Sequence, residues 1–229
     1  MASTQTERAK TAPRGLGQIV SVFHRMSQTF TGRMVNSILL ALAVVIPVRT
    51  FAIQGYHIPS GSMEKSLLIG DVLFADKITF GPRIPLTNSA RIPGFREPEP
   101  GDVVIFKHPA EKIDLIKRCV AVGGQVVEMR DKRLYVDGEP VDESYIQHTD
   151  PYPNPHRDTM RPLRVPAGHI FVLGDNRDNS NDSRFIGTIP VGLVVAKARI
   201  IYWSWDTRGG HWWQVWNGRP RLGRIGTLL

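Results

Sequence analysis

A chain of 229 residues has room for one membrane segment plus one sizeable domain, or for two small domains. Its single cysteine, Cys119, excludes an intrachain disulfide and a cysteine-built metal site. The formal net charge is +8, and half of it sits in residues 1–33, where Arg8, Lys10, Arg14, Arg25 and Arg33 face only Glu7. No basic block interleaved with aromatics and no DNA-reading helix pair accompanies that charge, so nucleic acid is not the expected partner.

Residues 1–14 are polar. From Leu16 the apolar positions Leu16, Ile19, Val20 and Phe23 fall at helical spacing and predict an amphipathic helix at a membrane surface. Residues 34–53 are predicted as a single transmembrane anchor: about 20 residues at 1.5 Å each cross a hydrocarbon core of about 30 Å. The uninterrupted apolar run is only Ile38–Val48, with Pro47 and Arg49 near its outer end, where a kink and a snorkelling guanidinium are tolerated. A cleaved signal peptide fits poorly, because Ala41-Leu-Ala43 lies inside the apolar core. The basic flank puts residues 1–33 on the cytoplasmic side. The remaining residues, 54–229, are expected to form one β-rich domain with a small accessory insertion at about 125–166.

The stretch Ile58-Pro-Ser-Gly-Ser-Met-Glu-Lys-Ser-Leu-Leu-Ile-Gly70 follows the anchor at once. Two serines flank a glycine, so the backbone can turn sharply and present a hydroxyl beside amide N–H groups, which acyl transfer requires. From Ile53 to Ser62 is at most about 30 Å of extended chain, which tethers Ser62 close to the membrane surface.

Beyond Gly70 come short β-type runs: Val72–Ala75, Val103–Lys107, Leu115–Val122, Val126–Arg130, Leu134–Val136, Ile170–Leu173 and Val194–Trp203. Asp137-Gly138 signals a hairpin. No amphipathic helices alternate with these strands, which argues for a mainly antiparallel β domain and against a doubly wound sheet. The proline-rich stretches Pro82–Pro100 and Pro151–Pro162 are expected as exposed loops or small insertions.

In Leu115–Val122, strand periodicity puts Lys117 on one face with Cys119 and Ala121, and Arg118 on the other with Ile116 and Val120. One of the two cations must therefore sit among apolar neighbours. Lysine can be deprotonated there and serve as a general base, whereas arginine cannot. The run Gly174-Asp-Asn-Arg-Asp-Asn-Ser-Asn-Asp-Ser-Arg184 fails as a calcium loop, since counting from Asp178 puts Ser183 where glycine is needed and Ile189 where glutamate is needed. Bracketed by Ile170–Leu173 and Phe185-Ile186, it is expected to be partly buried, with arginines partnering its carboxylates. His57 is an alternative base by proximity to Ser62, without a Gly-x-Ser-x-Gly elbow to support it. Trp203, Trp205, Trp212, Trp213 and Trp216 cluster near residue 210 and read as packing or as membrane-interface residues.

In order, these motifs resemble the type I signal peptidase (leader peptidase) family of Ser–Lys enzymes. Pro59-Ser-Gly-Ser-Met63 with Leu67-Leu-Ile-Gly-Asp71 is similar to its nucleophile box, and Gly101-Asp-Val-Val104 to the strand motif that follows. Ile116-Lys-Arg118 resembles the general-base motif, and Gly174–Arg184 the last box. The resemblance implies an antiparallel β catalytic domain of signal-peptidase type behind one N-terminal transmembrane helix. It implies Ser62 as nucleophile, Lys117 as base, and the Ser62 N–H with the Ser60 side chain as oxyanion hole. Ser180 would orient the lysine, Asp182 and Arg184 would form a supporting ion pair, and Asp175 and Arg177 would brace the same loop. It implies no metal or cofactor, and cleavage of secretory preproteins after small residues at Ala-x-Ala-like sites. The partners implied are membrane lipid and the protein-export machinery. The expected place is the bacterial plasma membrane, N-terminus cytoplasmic and catalytic domain on the outer face. One departure bears on the loop: many relatives have proline and threonine where this chain has Lys65-Ser66. A self-cleaving regulator, an organellar processing peptidase and an inactive membrane-anchored binding module are the alternatives.

Overall fold

The computed structural model describes residues 30–84, 91–111, 113–206 and 218–229. The candidate surface helix at 16–23 and Trp212, Trp213 and Trp216 lie outside the described residues. One unit runs to Val48 and a second from Arg49 to Leu229.

In the first unit the apolar run forms an α-helix, Phe30–Pro47. Proline at its end has no N–H and its ring clashes with the carbonyl four residues back, so the regular ladder stops there. A wider turn, Val48–Ala52, follows. The stretch Thr31–Ala52 is long and apolar enough to cross a membrane, with a mean hydropathy of 1.9, and its side chains face outward. The strand that follows starts at Ile53.

The second unit is mainly antiparallel β. Its larger sheet contains β1 (Ile53–His57), β2 (Asp71–Asp76), β3 (Val103–Lys107), β4 (Asp114–Val122), β9 (His169–Leu173), β10 (Ile189–Pro190), β11 (Val194–Asp206) and β12 (Arg219–Pro220). The order is β1-β2-β11-β3-β4-β9-β10, with β12 on the far end of β11. A smaller sheet, β7-β6-β5-β8, is built from β5 (Val126–Arg130), β6 (Arg133–Val136), β7 (Glu139–Pro140) and β8 (Met160–Arg164). Asp137 and Gly138 both have positive φ, 52° and 87°, as the tight β6–β7 turn requires. Register shifts within β11, at Val194/Ala196, Ala198/Ile200 and Ile201/Trp203, mark bulges that bend this long strand.

Part of the 151–162 stretch is not the loop its prolines predict. Asn154 caps a short helix, Pro155–Asp158, and Met160 starts β8, whose Pro162 lies on the outer strand of the small sheet. Proline is tolerated at a helix start and on an edge strand, where no N–H is needed.

Two of the three buried clusters bear on the site. Ile58, Met63, Leu67, Leu73, Val103, Ile105, Ala196 and Ile201 root the segment after β1 between β2, β3 and β11. Val120, Ala121, Phe171 and Leu173 of the large sheet meet Val127, Met129 and Leu134 of the small one.

Candidate active site

Ser62 lies in a single tight turn, Gly61–Met63, near the tip of a loop whose neck is closed by two backbone bonds. Ile58 N–H donates to Asp71 O at 2.9 Å and Gly70 N–H to Ile58 O at 3.0 Å. Met63 and Leu67 are both buried, and Leu67 N–H donates to Met63 O at 2.7 Å, so an apolar pair anchors the turn and leaves Ser62 at its surface. Gly70 is required: its φ is +91°, and a Cβ there would stand 2.1 Å from the Trp205 carbonyl.

Lys117 reaches the same point from β4, where it faces Val104 across the ladder. Its Nζ lies 2.8 Å from Ser62 Oγ and 3.0 Å from Ile116 O. Only 3% of the residue is exposed. Burial pushes its pKa down to about 8, with Asp182 and Asp175 pulling in the other direction without cancelling that. An amine with that pKa is neutral in a useful fraction of molecules near neutral pH.

Strand alternation predicts one buried cation; the structure buries both. Arg118 is 8% exposed. Its outward face is covered: Nε and NH2 donate to the Asp175 carboxylate at 2.9 and 2.7 Å, and the guanidinium lies 4.1 Å over the Tyr145 ring. A buried arginine needs such a partner, and Asp175 is fully buried with it.

The Gly174–Arg184 loop packs on the Ser62 turn. Asn176 N–H donates to Ser62 O at 3.1 Å, and its side-chain amide to Gly61 O at 3.1 Å. Asp182 accepts from Gly174 N–H at 3.0 Å and holds Arg184 in a two-pronged pair, both contacts 2.8 Å, with both side chains buried. Arg177 pairs with Glu143 and donates to Gly174 O. Asp178 is taken up by Lys132, Arg157 and the Asp150 N–H. With cations already on Asp178 and Asp182, the run is a salt-bridged brace. Ser180 Oγ is buried and has no hydrogen-bond partner among the described residues. The contact expected from it to the lysine is therefore not made here, and Ile116 O takes that amine bond instead. Ser60 is exposed, with no capping bond from its side chain.

A cleft of about 360 Å³ opens beside these groups, lined by Tyr56–Ser60, Ser62, Met63 and Ile113–Lys117. Two strand edges flank it. The outer edge of β1 has no strand partner among the described residues, and β9 pairs with β4 only from Arg118 onward, leaving Asp114–Lys117 open on that side.

A buried lysine of lowered pKa stands against a serine hydroxyl beside an open groove, an arrangement compatible with a serine peptidase. The family model described as signal peptidase, peptidase S26, matches residues 31–203. The chain belongs to that family. It is a serine peptidase. Signal peptidase I of Pseudomonas aeruginosa is 34% identical over 221 residues, covering 82% of this chain and 75% of its own. That of Mycobacterium tuberculosis is 30% identical, covering 82% of this chain and 77% of its own. A solved signal peptidase I structure from Enterococcus faecalis is 30% identical over 44% of this chain and 97% of that one, with a TM-score of 0.37.

Several residues packed around Ser62 and Lys117 escape a sequence reading. Asn176, Glu143 and Tyr145 act at the site through backbone carbonyls, a buried arginine and a ring face. Asn176 sat in plain view inside the polar run; Glu143 and Tyr145 lie in a patternless stretch between the sheets. Lys65 is held at φ +88°, a value forbidden to proline, and its Nζ donates to Ser144 O and Ile146 O at 2.5 and 2.9 Å. Proline at position 65 would therefore need a different loop path.

Proposed function

We propose that this chain is a membrane-anchored endopeptidase that removes N-terminal signal peptides from exported preproteins by Ser–Lys acyl-enzyme catalysis. The observation that carries the reading is the 2.8 Å approach of Lys117 Nζ to Ser62 Oγ, with the lysine buried and its pKa lowered to about 8. Neutral Lys117 accepts the Ser62 proton as Oγ bonds to the scissile carbonyl carbon. The Ser62 N–H and the Ser60 hydroxyl receive the developing oxyanion. The ammonium then gives its proton to the leaving amine, which departs as the new N-terminus. A water deprotonated by the same lysine attacks the acyl-enzyme, and Ser62 recovers its proton as the acid leaves. Ser180, buried and without a hydrogen-bond partner among the described residues, is the group at hand to orient the amine when its bond to Ser62 breaks. Asp182 with Arg184, and Asp175 and Arg177 with their own partners, keep the loop beneath it fixed.

The two open strand edges favour a substrate bound as an extended strand, by main-chain hydrogen bonds along Asp114–Lys117 and β1. A shallow groove there suits small side chains at the −1 and −3 positions. The apolar Thr31–Ala52 helix supports a single-span anchor in the bacterial plasma membrane, and the basic tail supports a cytoplasmic N-terminus with the catalytic unit on the outer face. Membrane-held preproteins leaving the export machinery are the matching substrates. The test is cleavage of a preprotein in detergent or liposomes, with the product N-terminus sequenced. Wild type should cut after a small residue, while Ser62→Ala and Lys117→Ala should lose at least about 1,000-fold in rate. Near-normal cleavage by Lys117→Ala would shift the base to another group, His57 first.

A further inference from the structure

The loop that carries Ser62 is held from below by a segment some 150 residues further along the chain. Asp71 closes the loop, and its carboxylate is fully buried. It accepts from Leu68 N–H at 2.8 Å, from Ser204 Oγ at 2.6 Å and from Arg224, whose Nε and NH2 reach its oxygens at 3.1 and 2.6 Å. Arg224 NH2 also donates to the Ser66 carbonyl at 2.7 Å. Arg221 donates to Ile69 O at 2.6 Å, to Trp205 O at 3.0 Å and to Ser204 Oγ at 2.8 Å. Three consecutive stations of the loop, at residues 66, 69 and 71, are thus fixed by two guanidinium groups.

Ser66 is the junction with the base strand. Its carbonyl takes Arg224, and its hydroxyl lies 3.3 Å from Arg118 NH2, next in sequence to Lys117. A bond at either side of Ser66 sets where the loop sits relative to β4, and so the distance from Ser62 Oγ to Lys117 Nζ.

We propose that Arg224, seconded by Arg221, is a positioning residue for the nucleophile: it sets the register of the Ser62 loop against the Lys117 strand through Asp71 and the Ser66 carbonyl. This rests on the Ser62–Lys117 reading above. Neither arginine lines the cleft beside Ser62. Their effect on the reaction is purely geometric, and a displacement of about 1 Å at reacting atoms costs on the order of 100-fold in rate.

Arg224→Lys is the decisive variant. It keeps a cation beside Asp71, but a single ammonium cannot match the planar fork that spans both the carboxylate and the Ser66 carbonyl. In the detergent-solubilised full chain, kcat per folded molecule should fall about 10- to 100-fold with KM within about twofold. The rate at which a serine-directed acylating probe labels Ser62 should fall in parallel. Arg224→Gln should act in the same direction; if it does not fold, Arg224→Lys alone decides. A role in stability alone would reduce the folded fraction and leave kcat per folded molecule and the labelling rate unchanged, and that result overturns the proposal. A rise in KM at constant kcat overturns it too, by moving Arg224 to the substrate groove. Ser62→Ala, run alongside, separates the two readings: if it still cleaves, the nucleophile assignment has failed and not merely its support.

Discussion

The loop bearing Ser62 and the strand bearing Lys117 meet at 2.8 Å and are built in opposite ways. β4 is fixed by ladder hydrogen bonds, to β3 along Asp114–Arg118 and to β9 from Arg118 onward, and by apolar packing on both faces. The loop has no ladder of its own. It is held at its neck by two backbone bonds, from below by Arg221 and Arg224, and at its tip by Asn176. Lys117 is thus placed by regular structure, and Ser62 by two buried apolar anchors, Met63 and Leu67, and a few polar contacts from remote sequence. Small changes at those contacts should therefore cost more than comparable changes along the strand.

Outside the Ser62–Lys117 pair itself, the largest effect is expected at Gly174. A Cβ there would stand 2.2 Å from Ser180 Oγ and 2.5 Å from Ser62 O, so Gly174→Ala must push the loop, the serine or both. Cleavage should fall by about 100-fold or more, while thermal unfolding shows the protein still folded. Retained activity would mean that the loop is softer than its contacts imply.

Lys117→Met tests the strand side. The folded pKa of about 8 lies below the ordinary 10.5, so at pH 7 the native state carries a buried ammonium and pays about 3 kcal/mol for it. Between about pH 8 and 10.5 the unfolded chain holds a proton that the folded chain has released, so wild-type stability rises with pH across that window. Lys117→Met should abolish cleavage, be more stable than wild type near pH 7 by up to that amount, and lose that pH-dependent gain in denaturant titrations. In the wild type, kcat/KM should climb with pH along a limb centred near 8. A limb near 6 would point to an imidazole.

The smallest effect belongs to Lys65, whose clamp is exposed. Lys65→Gly keeps the positive φ and gives up two hydrogen bonds, so kcat/KM should stay within about threefold. Lys65→Pro, whose ring fixes φ near −65°, should lower it about tenfold in the same assay.

What could be read from sequence follows the same division. The strands of the large sheet announce themselves by runs of valine, isoleucine and phenylalanine, and the position of Lys117 within one follows from alternation. The short Ile53–His57 strand does not, because Gln54-Gly-Tyr-His lacks an apolar period and continues directly from the anchor. β8 was masked by the prolines around it. The family resemblance suggests Asp175 and Arg177 as braces but not their partners: Arg118 and Glu143 are 57 and 34 residues away, and nothing local encodes either pairing. Likewise the burial of Arg118 depends on Tyr145 covering its outer face, a contact set by how the two sheets pack.

The Arg224–Asp71 contact closes a loop of 153 residues, and a ribosome makes the chain in order. Ser62 emerges first, Lys117 some fifty residues later, and the arginine that seats the serine loop long after both. Pairings so distant in sequence form late, after the entropy of closing the intervening chain has been overcome. A peptidase assembled in this order carries its Ser62 loop unseated through most of its own synthesis.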